Sequence, residues 1–584
     1  MLTKFLVILT VNIISVYTAN TGWYKNSVFY HVYVRSFKDS DNDGIGDLKG
    51  VIEKMDYLSD LGVTVVWLSP IFKSPQIDHG YDISDHYSID PIYGDMSDLI
   101  ELLRKAEQFG IKILLDLIPN HTSDQHYWFK KSVNCEPGYE DYYVWADPKF
   151  DANGNRKPPT NWIAIFSNST WTWNEKRQQY YLHYFYPSQP DLNLRNKDVV
   201  EELQKISTFY LDLGAAGFRI DAVSYLIENK DLLDDPFRSD IEHPDPKNRL
   251  HYNPIYTQDT NESYEFIYEI RSFIDKYNQN FDGDEKIILT EVYTAFNKTK
   301  LYCENHDGTK LGAHFTFNFD FTYLRFNSTA NDVKNIIDTW TSGLDKKYMN
   351  WVLSNHDNHR VPTRMGNVDG YNMLVTFLPG ISITYYAEEI GQENGEVNCE
   401  EGTDLKVTSC ATFDLIARDF ERTPFQWDAT VNAGFNSGAK PWLPIRRKFR
   451  TTNLACQNVP GLRSHYNIYK DMIKLRKHIS EYDEVFVEAK SANKNVLHIV
   501  RKKLKGRDTY VFLFNMERSR KRTLRIGDTF FKLLVSSTNS QYTNGQIFRN
   551  SSITLLPQES LVLKEIIPEY PCSKTFASNF SHCK

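Results

Sequence analysis

The sequence predicts an α/β fold: a (β/α)8 barrel with a loop-rich insertion after its third strand and a C-terminal antiparallel β domain. Strand-like and helix-like segments alternate from Val28 to about Arg476, as expected for a parallel sheet wrapped by helices. Eight strand candidates in one such series favour a closed barrel over an open sheet. After about Glu481 the pattern changes to short alternating runs, which are typical of a small antiparallel sheet.

The elements are predicted from apolar runs of strand length and from longer amphipathic stretches. Barrel strands are predicted, in chain order, at Val28–Arg35, Val63–Leu68, Lys112–Leu117, Gly217–Ile220, Ile287–Thr290, Ala313–Asn318, Met349–Ser354 and Ser382–Tyr386. Helices are predicted at Ile52–Leu61, Met96–Phe109, Lys197–Leu213, Glu262–Tyr277 and Tyr466–Arg476. From about His121 to Asn193 the chain is rich in Tyr, Trp, Pro, Asn and Gly and has poor periodicity, which predicts an insertion. Val496–Arg501 and Thr509–Phe514 are the clearest strands of the tail.

The 584 residues are too many for one compact domain, so two or three are expected. We predict a barrel at 20–120 and 194–480, an inserted domain at 121–193 and a C-terminal β domain at 481–584. The net charge of −8 is spread along the chain and offers no basic field, which argues against nucleic acid as a partner. Aromatic residues make up 14%, which suits sugar binding and equally suits a large core.

The N-terminus has the pattern of a secretory signal peptide, predicted at 1–19. Lys4 precedes an apolar run from Phe5 to Val16, which is too short to span a bilayer and is followed by small or polar residues. The polar C-terminus lacks the hydrophobic tail of a lipid-anchor signal. A secreted, extracellular protein without a membrane anchor is therefore expected.

Seven cysteines and several glycosylation sequons agree with export. Two cysteine pairs bracket short segments and are disulfide candidates, Cys399 with Cys410 and Cys572 with Cys583. Glycosylation is predicted at Asn168, Asn261, Asn297, Asn327, Asn550 and Asn579. A seventh sequon, at Asn120, lies in a candidate site and is expected to stay unmodified.

Three carboxylic acids directly follow strand-like runs: Asp221, Glu291 and Asp357. A strand that ends in an acid fixes that acid at the carboxyl end of a barrel, where such enzymes carry out their chemistry. Acids at strand ends also serve as helix caps or turn residues, so each one alone is a weak signal. Two such acids, one nucleophile and one proton donor, are what retaining glycoside hydrolysis requires.

The neighbours of these acids suggest different roles. Arg219, two residues before Asp221 on one strand, projects to the same side and would hold Asp221 as the carboxylate. Burial and the charges of the other acids would keep Glu291 protonated. Asp357, with His356 before it, would bind sugar hydroxyls and stabilise positive charge. The alternatives are a structural Arg–Asp pair, a capping Glu and a structural His–Asp hydrogen bond.

A fourth strand end, Asp116-Leu117-Ile118-Pro119-Asn120-His121, completes a set of four stretches. Together they resemble the ordered signature motifs of the α-amylase family of glycoside hydrolases, family 13, from about Trp23 into the C-terminal domain. The resemblance implies that Asp221 is the nucleophile, Glu291 the acid/base and Asp357 the transition-state stabiliser. It also implies that His121 and His356 bind substrate hydroxyls and that Arg219 supports the nucleophile. Retention by double displacement follows, with the two catalytic carboxyls ~5–5.5 Å apart.

Further stretches resemble the oligo-1,6-glucosidase and α-glucosidase branch of the family, and the insect maltase group in particular. They are Gln189-Pro190-Asp191-Leu192-Asn193, Gly80-Tyr81-Asp82-Ile83 and Glu421-Arg422-Thr423-Pro424. The branch implies an ion pair between Asp82 and Arg422 that closes the pocket, and a Tyr81 ring that stacks on the terminal glucose. The alternative for the pair is a surface salt bridge of little energetic value. Ala222 after the nucleophile favours α-1,4 over α-1,6 bonds by the same resemblance.

The segment from Asp39 to Asp47 alternates acids in the manner of the first half of an EF-hand, which binds hard cations through oxygen. Gly50 stands where an EF-hand has its twelfth-position Glu, so a true EF-hand is not expected, and a solvated acidic turn is the alternative. The resemblance implies a structural Ca²⁺ or Mg²⁺ and no organic cofactor. Its ligands would be Asp39, Asp41, Asp43, the carbonyl of Ile45, and Asp47.

The function expected from this reasoning is a retaining, exo-acting α-glucosidase that hydrolyses α-1,4-linked glucose of maltose-like sugars and sucrose. Its partner would be a small disaccharide or oligosaccharide, with gut lumen or saliva as the site of action for an insect-type relative. The alternatives are a non-catalytic relative that serves as a transporter heavy chain or receptor, an endo-acting α-amylase, and a sucrose-specific hydrolase or transglucosidase. The sequence leaves the oligomeric state and the preferred sugar open.

Overall fold

A computed structural model of the protein describes residues 21–166, 168–480, 485–492, 494–503, 508–527, 529–549 and 552–566. Eight strands form one parallel sheet with the order β6-β5-β4-β3-β2-β1-β8-β7. These strands are β1 (Val28–Val32), β2 (Val65–Leu68), β3 (Lys112–Leu117), β4 (Gly217–Ile220), β5 (Ile287–Thr290), β6 (Phe315–Thr316), β7 (Asn350–Val352) and β8 (Ile381–Tyr385).

The Asn350 side chain joins the two ends of this sheet. Its amide nitrogen donates to the carbonyl of Thr316 at 2.7 Å, and its amide oxygen accepts from the backbone N–H of Asn318 at 2.8 Å. A side chain on β7 thereby takes the place of backbone pairing with β6. The predicted (β/α)8 barrel is confirmed.

Helices follow the strands around the barrel, and several begin at a side-chain cap. The Asp95 and Thr329 side chains each form a capping box with an acid three residues later, which satisfies free N–H groups of the first turn. The helices are α1 (Val34–Phe37), α2 (Leu48–Glu53), α3 (Met55–Leu61), α4 (Met96–Gln108), α5 (Tyr127–Val133), α6 (Lys197–Asp212), α7 (Asn261–Gln279), α8 (Phe296–Thr299), α9 (Ala330–Gly343), α10 (Val361–Met365), α11 (Val368–Phe377), α12 (Phe413–Ile416), α13 (Leu454–Gln457) and α14 (His465–Ser480).

The predicted boundaries differ from the observed ones mainly at element ends. β1 stops at Val32 because the chain turns into the single helical turn α1, whereas the sequence predicted strand to Arg35. The predicted helix Ile52–Leu61 is two helices, α2 and α3, separated at Lys54. The predicted strand 313–318 is reduced to Phe315 and Thr316, although the backbone N–H groups of His314 and Phe317 also donate to carbonyls of β5.

Both faces of the barrel strands are buried, which explains their continuous apolar runs. One face fills the barrel interior with residues such as Phe29, Trp67, Leu289 and Phe315. The alternate residues pack outward against the helices. This double burial fixes the strand ends, and with them the side chains that follow each strand.

The segment between β3 and α6 contains α5 and short strands of its own. The described C-terminal strands form two antiparallel sheets, one of six strands and one of two. The inserted strands are Trp145–Ala146, Lys149–Phe150, Arg156–Lys157, Trp171–Asn174 and Gln179–Leu182, and Phe72–Lys73 pairs with Asp85–Ile89 after β2. The C-terminal strands are β9 (Val485–Ala492), β10 (Val496–Lys503), β11 (Thr509–Asn515), β12 (Arg522–Arg525), β13 (Phe530–Ser536), β14 (Ile547–Arg549), β15 (Ser552–Leu555) and β16 (Ser560–Ile566). β10 and β11 pack on α9, α11 and α14 in one apolar cluster. The numerical domain boundaries stay predictions.

Cys399 and Cys410 form a disulfide, as predicted. Four predicted sequon residues are exposed, namely Asn168, Asn261, Asn297 and Asn327, whereas Asn120 is buried. The predicted signal peptide, Cys572, Cys583, Asn550 and Asn579 lie outside the described residues. Across the described ranges, no helix combines the length and the apolar character that crossing a membrane would require.

Candidate active site

The three strand-end acids line one cavity at the carboxyl end of the barrel. Asp221 follows β4, Glu291 follows β5, and Asp357 lies a few residues beyond β7. The cavity has a volume of about 280 Å³, close to the lower end of the ~300–1,000 Å³ typical of small-molecule sites. Tyr81, His121 and His356, which the sequence predicted as substrate-binding residues, also line it.

Arg219 binds both of the acids nearest to it. One terminal nitrogen lies 2.5 Å from Asp221 and 2.7 Å from Asp116, and the other lies 2.6 Å from Glu291. The guanidinium is fully buried behind the cavity, above the Trp67 ring. The sequence predicted the pair with Asp221 but not the contacts to Asp116 and Glu291, since these depend on the register of β3, β4 and β5.

Burial raises the pKa values of both acids that share Arg219. The pKa of Asp221 rises to about 6 because burial outweighs the attraction of Arg219. The pKa of Glu291 rises further, to about 8, because the negative charges of Asp221 and Asp357 add to its burial against the opposing charge of Arg219. The sequence predicted that Arg219 would hold Asp221 as the carboxylate, and here Arg219 limits a rise in the Asp221 pKa that burial imposes. Near neutral pH, Asp221 is the carboxylate and Glu291 the acid.

Asp357 is in the opposite electrostatic environment. Burial alone would raise the pKa of its carboxyl, but neighbouring positive charge holds that pKa well below its usual range. Arg422 lies 2.8 Å and Arg418 lies 3.3 Å from the same carboxylate oxygen. His356 lies 3.3 Å from the other oxygen, but burial lowers the His356 pKa to about 3, so near neutral pH the two arginines supply the charge.

The two cavity histidines are neutral and fixed by hydrogen bonds. Burial lowers the pKa of His121 to about 3, and its Nε2 lies 3.1 Å from the carbonyl of Tyr81. The Tyr81 hydroxyl lies 2.9 Å from Nε2 of His356, and the two rings stack. Gln189 connects this group to the cavity wall, 3.2 Å from His121 and 3.2 Å from Asp78. Neutral imidazoles held in this way can exchange hydrogen bonds with uncharged hydroxyls.

Ala222, directly after Asp221, has a left-handed backbone with φ of 51° and ψ of 36°. Such a conformation costs a non-glycine residue about 1–3 kcal/mol and is found mostly at functional sites. Its N–H points toward a carboxylate oxygen of Glu291 at 3.4 Å. The sharp turn after β4 therefore brings the Asp221 segment toward Glu291.

The predicted ion pair between Asp82 and Arg422 is wrong. The Asp82 carboxylate is fully buried and accepts hydrogen bonds from Ser74, Ile77 and Asp78, each at 2.9 Å. It stabilises the loop below the cavity and does not line the cavity. Arg422 is bound to Asp357 and to the carbonyl of His356.

The pair that does line the cavity comprises Asp78 and Arg418, each four residues earlier in the chain than the predicted partner. Their charged groups are 3.1 Å apart. Asp78 lies in the same short loop as Tyr81, so the motif indicated the right loop but not which acid turns inward. Backbone N–H groups that donate to Asp82 hold its side chain away from the cavity. Their positions depend on the tertiary structure, which the sequence motif does not reveal.

Other cavity residues include Phe166 and Tyr225, which the sequence suggested as aromatic candidates, together with Phe185, Tyr293, Lys406 and Arg249. Phe166 and Phe185 come from the inserted segment, and Lys406 comes from the loop that the disulfide closes. Phe185, Lys406 and Arg249 lie in long loops without periodicity, and Tyr293 lies in the short segment between β5 and α8, so no sequence pattern marked these four residues.

The acidic loop near the N-terminus brings together three of the five predicted metal ligands. Carboxylate oxygens of Asp39, Asp41 and Asp43 lie within 4.8 Å of one another. Burial and then the charges of Asp43 and Asp47 raise the pKa of Asp41. The Asp47 carboxylate caps α2 by accepting from Gly50 and also accepts from Ser40. The donor set of Asp39, Asp41 and Asp43 fits a hard divalent cation.

Comparison with known proteins agrees with this geometry. The family model of the α-amylase catalytic domain matches residues 31–484. Maltase 1 of Drosophila virilis is 42% identical over 559 residues, which cover 93% of this chain and 87% of that protein. The salivary alpha-glucosidase of Anopheles gambiae is 44% identical over 468 residues, 78% of each chain. The crystal structure of the alpha-glucosyl transfer enzyme XgtA superposes with a TM-score of 0.81 at 29% identity, covering 93% of this chain and 99% of that one.

Proposed function

This chain belongs to the α-amylase family and is a glycoside hydrolase, and from that premise we propose that it is a retaining, exo-acting α-glucosidase of maltose-like sugars. The main support for the proposal is one cavity that contains the carboxylate of Asp221, the protonated acid Glu291 and the positively charged side chain of Arg418. In the proposed mechanism Asp221 attacks the anomeric carbon and forms a β-glucosyl ester. Glu291 gives its proton to the leaving oxygen and then takes a proton from the attacking water.

Arg219 supports both steps through one side chain. Its contacts to Asp221 and Glu291 hold the two acids in fixed relative positions and limit the rise of both pKa values. Asp357, kept ionised by Arg418 and Arg422, binds sugar hydroxyls and stabilises the oxocarbenium-like transition state. A carboxyl separation of ~5–5.5 Å stays the expectation for a retaining enzyme.

Exo-action on short substrates is supported by the closed end of the cavity. Asp78 and Arg418 form a buried ion pair there, and Arg418 also reaches Asp357. A glucose bound at Asp357 would therefore place its non-reducing end against this ion pair. No room would remain beyond the ion pair for a further sugar unit. The stacked Tyr81 and His356 rings provide a flat surface beside that position.

The names of the relatives support the proposed substrate and the proposed localisation of this protein. Proteins named maltase and alpha-glucosidase support α-1,4-linked glucose as substrate, and the small Ala222 side chain agrees with that preference. Sucrose hydrolysis is a further expected activity. A relative named as a transfer enzyme makes transglucosylation the alternative outcome of the second step. Relatives named salivary, the disulfide and the exposed sequons support secretion.

A structural cation is proposed at Asp39, Asp41 and Asp43. None of these three residues lines the cavity, and the loop contacts the segment near Asn436, whose amide donates to Asp39 at 2.8 Å. A bound divalent cation would neutralise the crowded carboxylates and hold these two segments together. It would take no part in the glycosidic chemistry.

The test is a hydrolysis panel on the purified protein. Maltose, sucrose, isomaltose, trehalose and starch are offered, and NMR reads the anomer of the glucose first released. We expect hydrolysis of maltose, little action on starch, and α-glucose as the glucose first released from sucrose, because the reducing-end glucose of maltose leaves as a mixture of anomers. Release of β-glucose from sucrose would overturn retention, and inactivity on all of the short sugars would overturn the function.

A further inference from the structure

The loop closed by the Cys399–Cys410 disulfide forms part of the cavity wall. The disulfide joins two cysteines 11 residues apart in the sequence. Between them, Lys406 lines the cavity and Asp404 contacts Arg418. This loop therefore connects a covalent cross-link near the surface with the charged group that closes the site.

Asp404 ties the loop to the site through Arg418. Its carboxylate accepts from the backbone N–H of Arg418 at 2.8 Å and from two guanidinium nitrogens at 2.8 and 2.9 Å. Burial would raise the Asp404 pKa, but the charge of Arg418 holds it well below its usual range. Because Arg418 also contacts Asp78 and Asp357, Asp404 fixes one part of the loop to the end of the cavity that receives glucose, and Lys406 lies two residues further along the chain.

A second acid fixes the loop backbone. The Asp419 carboxylate accepts from the N–H of Thr403 at 3.1 Å, from the Thr403 hydroxyl at 2.9 Å and from the N–H of Asp404 at 3.2 Å. Together with the disulfide, these contacts hold the loop on both sides of Lys406. Contacts within the protein therefore hold this loop in place.

Lys406 lies nearer to solvent than the reacting acids. Its side chain is half-buried, whereas Asp221 and Glu291 are each 7% exposed. Its ammonium is 5.6 Å from the centre of the Phe166 ring, which packs 5.7 Å from Phe185 in the same wall. Among the residues that the structure describes, no carboxylate lies within 4.0 Å of this ammonium.

We propose that Lys406 is a specificity-determining residue for the aglycone, the group that leaves when glucose is transferred to Asp221. The inference rests on the proposed function, since it needs a leaving group on the solvent side of the reacting carbon. A partly desolvated ammonium without a carboxylate partner donates most strongly to an anionic acceptor. The site therefore takes aglycones that carry a carboxylate or phosphate in preference to neutral ones of the same shape.

A matched pair of substrates isolates this effect. 4-Carboxyphenyl and 4-carbamoylphenyl α-glucosides differ in the charge of one substituent and yield the same glucosyl-enzyme. The ratio of their kcat/KM values is measured for the wild type, Lys406→Gln and the exposed control Lys474→Gln. We expect the ratio to fall about tenfold in Lys406→Gln, as for the loss of one charge-assisted hydrogen bond, and to stay unchanged in Lys474→Gln.

A second readout separates specificity from a general structural effect. The rate of glucosyl-enzyme hydrolysis is measured by stopped flow, and it should be the same in Lys406→Gln and wild type because the aglycone has left by then. An unchanged kcat/KM ratio, or an equal loss in both steps, overturns the inference while leaving the proposed function intact. Failure of the wild type to cleave either glucoside or maltose overturns the function and the inference together.

A third experiment tests the contribution of the disulfide to the position of Lys406. A Cys399→Ser/Cys410→Ser double variant should retain glucosyl-enzyme hydrolysis, while its substrate ratio moves part of the way toward that of Lys406→Gln. That result supports the role of the closed loop in holding Lys406. A double variant with the wild-type ratio shows that the loop does not need its cross-link and overturns this part of the inference.

Discussion

Arg219 is the residue on which the chemistry of the site depends most. A single buried guanidinium contacts Asp116, Asp221 and Glu291, so it neutralises a group of acids that would otherwise repel one another. Because the other charges near Asp221 and Glu291 differ, the two acids keep different pKa values in spite of the shared partner. This difference assigns one acid to attack and the other to proton transfer.

The first prediction concerns the pH profile of kcat/KM for maltose. Activity should rise as Asp221 loses its proton, with a limb near pH 6, and fall as Glu291 loses its proton, with a limb near pH 8. The limbs belong to the coupled pair. In Glu291→Gln, with α-glucosyl fluoride as a substrate whose leaving group needs no proton, the acid limb should remain and the alkaline limb disappear. Retention of the alkaline limb in that variant would show that another group gives the proton.

The second prediction separates Asp78 from Asp82. Asp78→Asn removes the charge that faces Arg418 in the cavity, so kcat/KM for maltose should fall about 10- to 100-fold, as for one charged hydrogen bond. Asp82→Asn weakens the hydrogen bonds of a loop and should mainly lower the melting temperature. Steady-state kinetics and calorimetry on both variants check this. A larger loss of kcat/KM in Asp82→Asn than in Asp78→Asn would contradict this assignment and favour the ion pair that the sequence predicted.

At the scale of elements, the close pairing of β4 with β5 determines where Asp221 and Glu291 lie. Gly217 begins β4 with φ of +146°, and a Cβ built there would lie 1.9 Å from the carbonyl oxygen of Ile287 on β5. Only a glycine permits this approach. The backbone geometry at one end of the strand therefore sets the position of the acid at its other end.

The third prediction follows from that contact. Gly217→Ala should destabilise the fold by roughly 3 kcal/mol or more, because the strands must move apart. Gly214→Ala is the matched control, since Gly214 also has a positive φ of +113° but a Cβ added there would meet no atom within 4 Å. It should cost only about 1–2 kcal/mol of backbone strain. Equal losses of unfolding free energy in the two variants would contradict the steric account.

The fourth prediction concerns the acidic loop. Ca²⁺ should raise the melting temperature by a few degrees and EDTA should reverse the rise, since a ligand at 100 times its Kd contributes about 2.7 kcal/mol. Asp41→Asn and Asp43→Asn should abolish the shift. The matched control is Asp151→Asn, which changes an exposed acidic turn. A Ca²⁺ shift that survives in the Asp41 and Asp43 variants would place the cation elsewhere.

At the scale of the molecule, the sequence predicted the barrel and the positions of the three acids because each depends on local patterns. Apolar runs buried on both faces mark strands, and an acid at the end of such a run must lie at the same rim as the others. The partners of Asp82 and Arg422 were not predictable in this way. Which of two acids four residues apart enters a cavity depends on backbone N–H groups of a folded loop. Lys406 and Phe185 come from long loops, where periodicity carries no information.

Three parts of the molecule contribute side chains to the cavity. The barrel provides the acids, the inserted segment provides Phe166 and Phe185, and the disulfide-closed loop provides Lys406. The barrel part carries the three acids, whereas the two loop parts form another part of the cavity wall, where we propose that the leaving group binds. Substrate preference should therefore change through the loops without a change in the acids.

The central claim is that Asp221 forms a covalent glucosyl ester, and mass spectrometry of the trapped enzyme tests it most directly. The protein is treated with 5-fluoro-α-glucosyl fluoride, which slows the second step, then digested and sequenced by fragmentation. We expect one fluoroglucosyl group on the peptide that contains Asp221, attached to that residue. A label on Glu291 or Asp357, or full turnover without any labelled peptide, would contradict the claim.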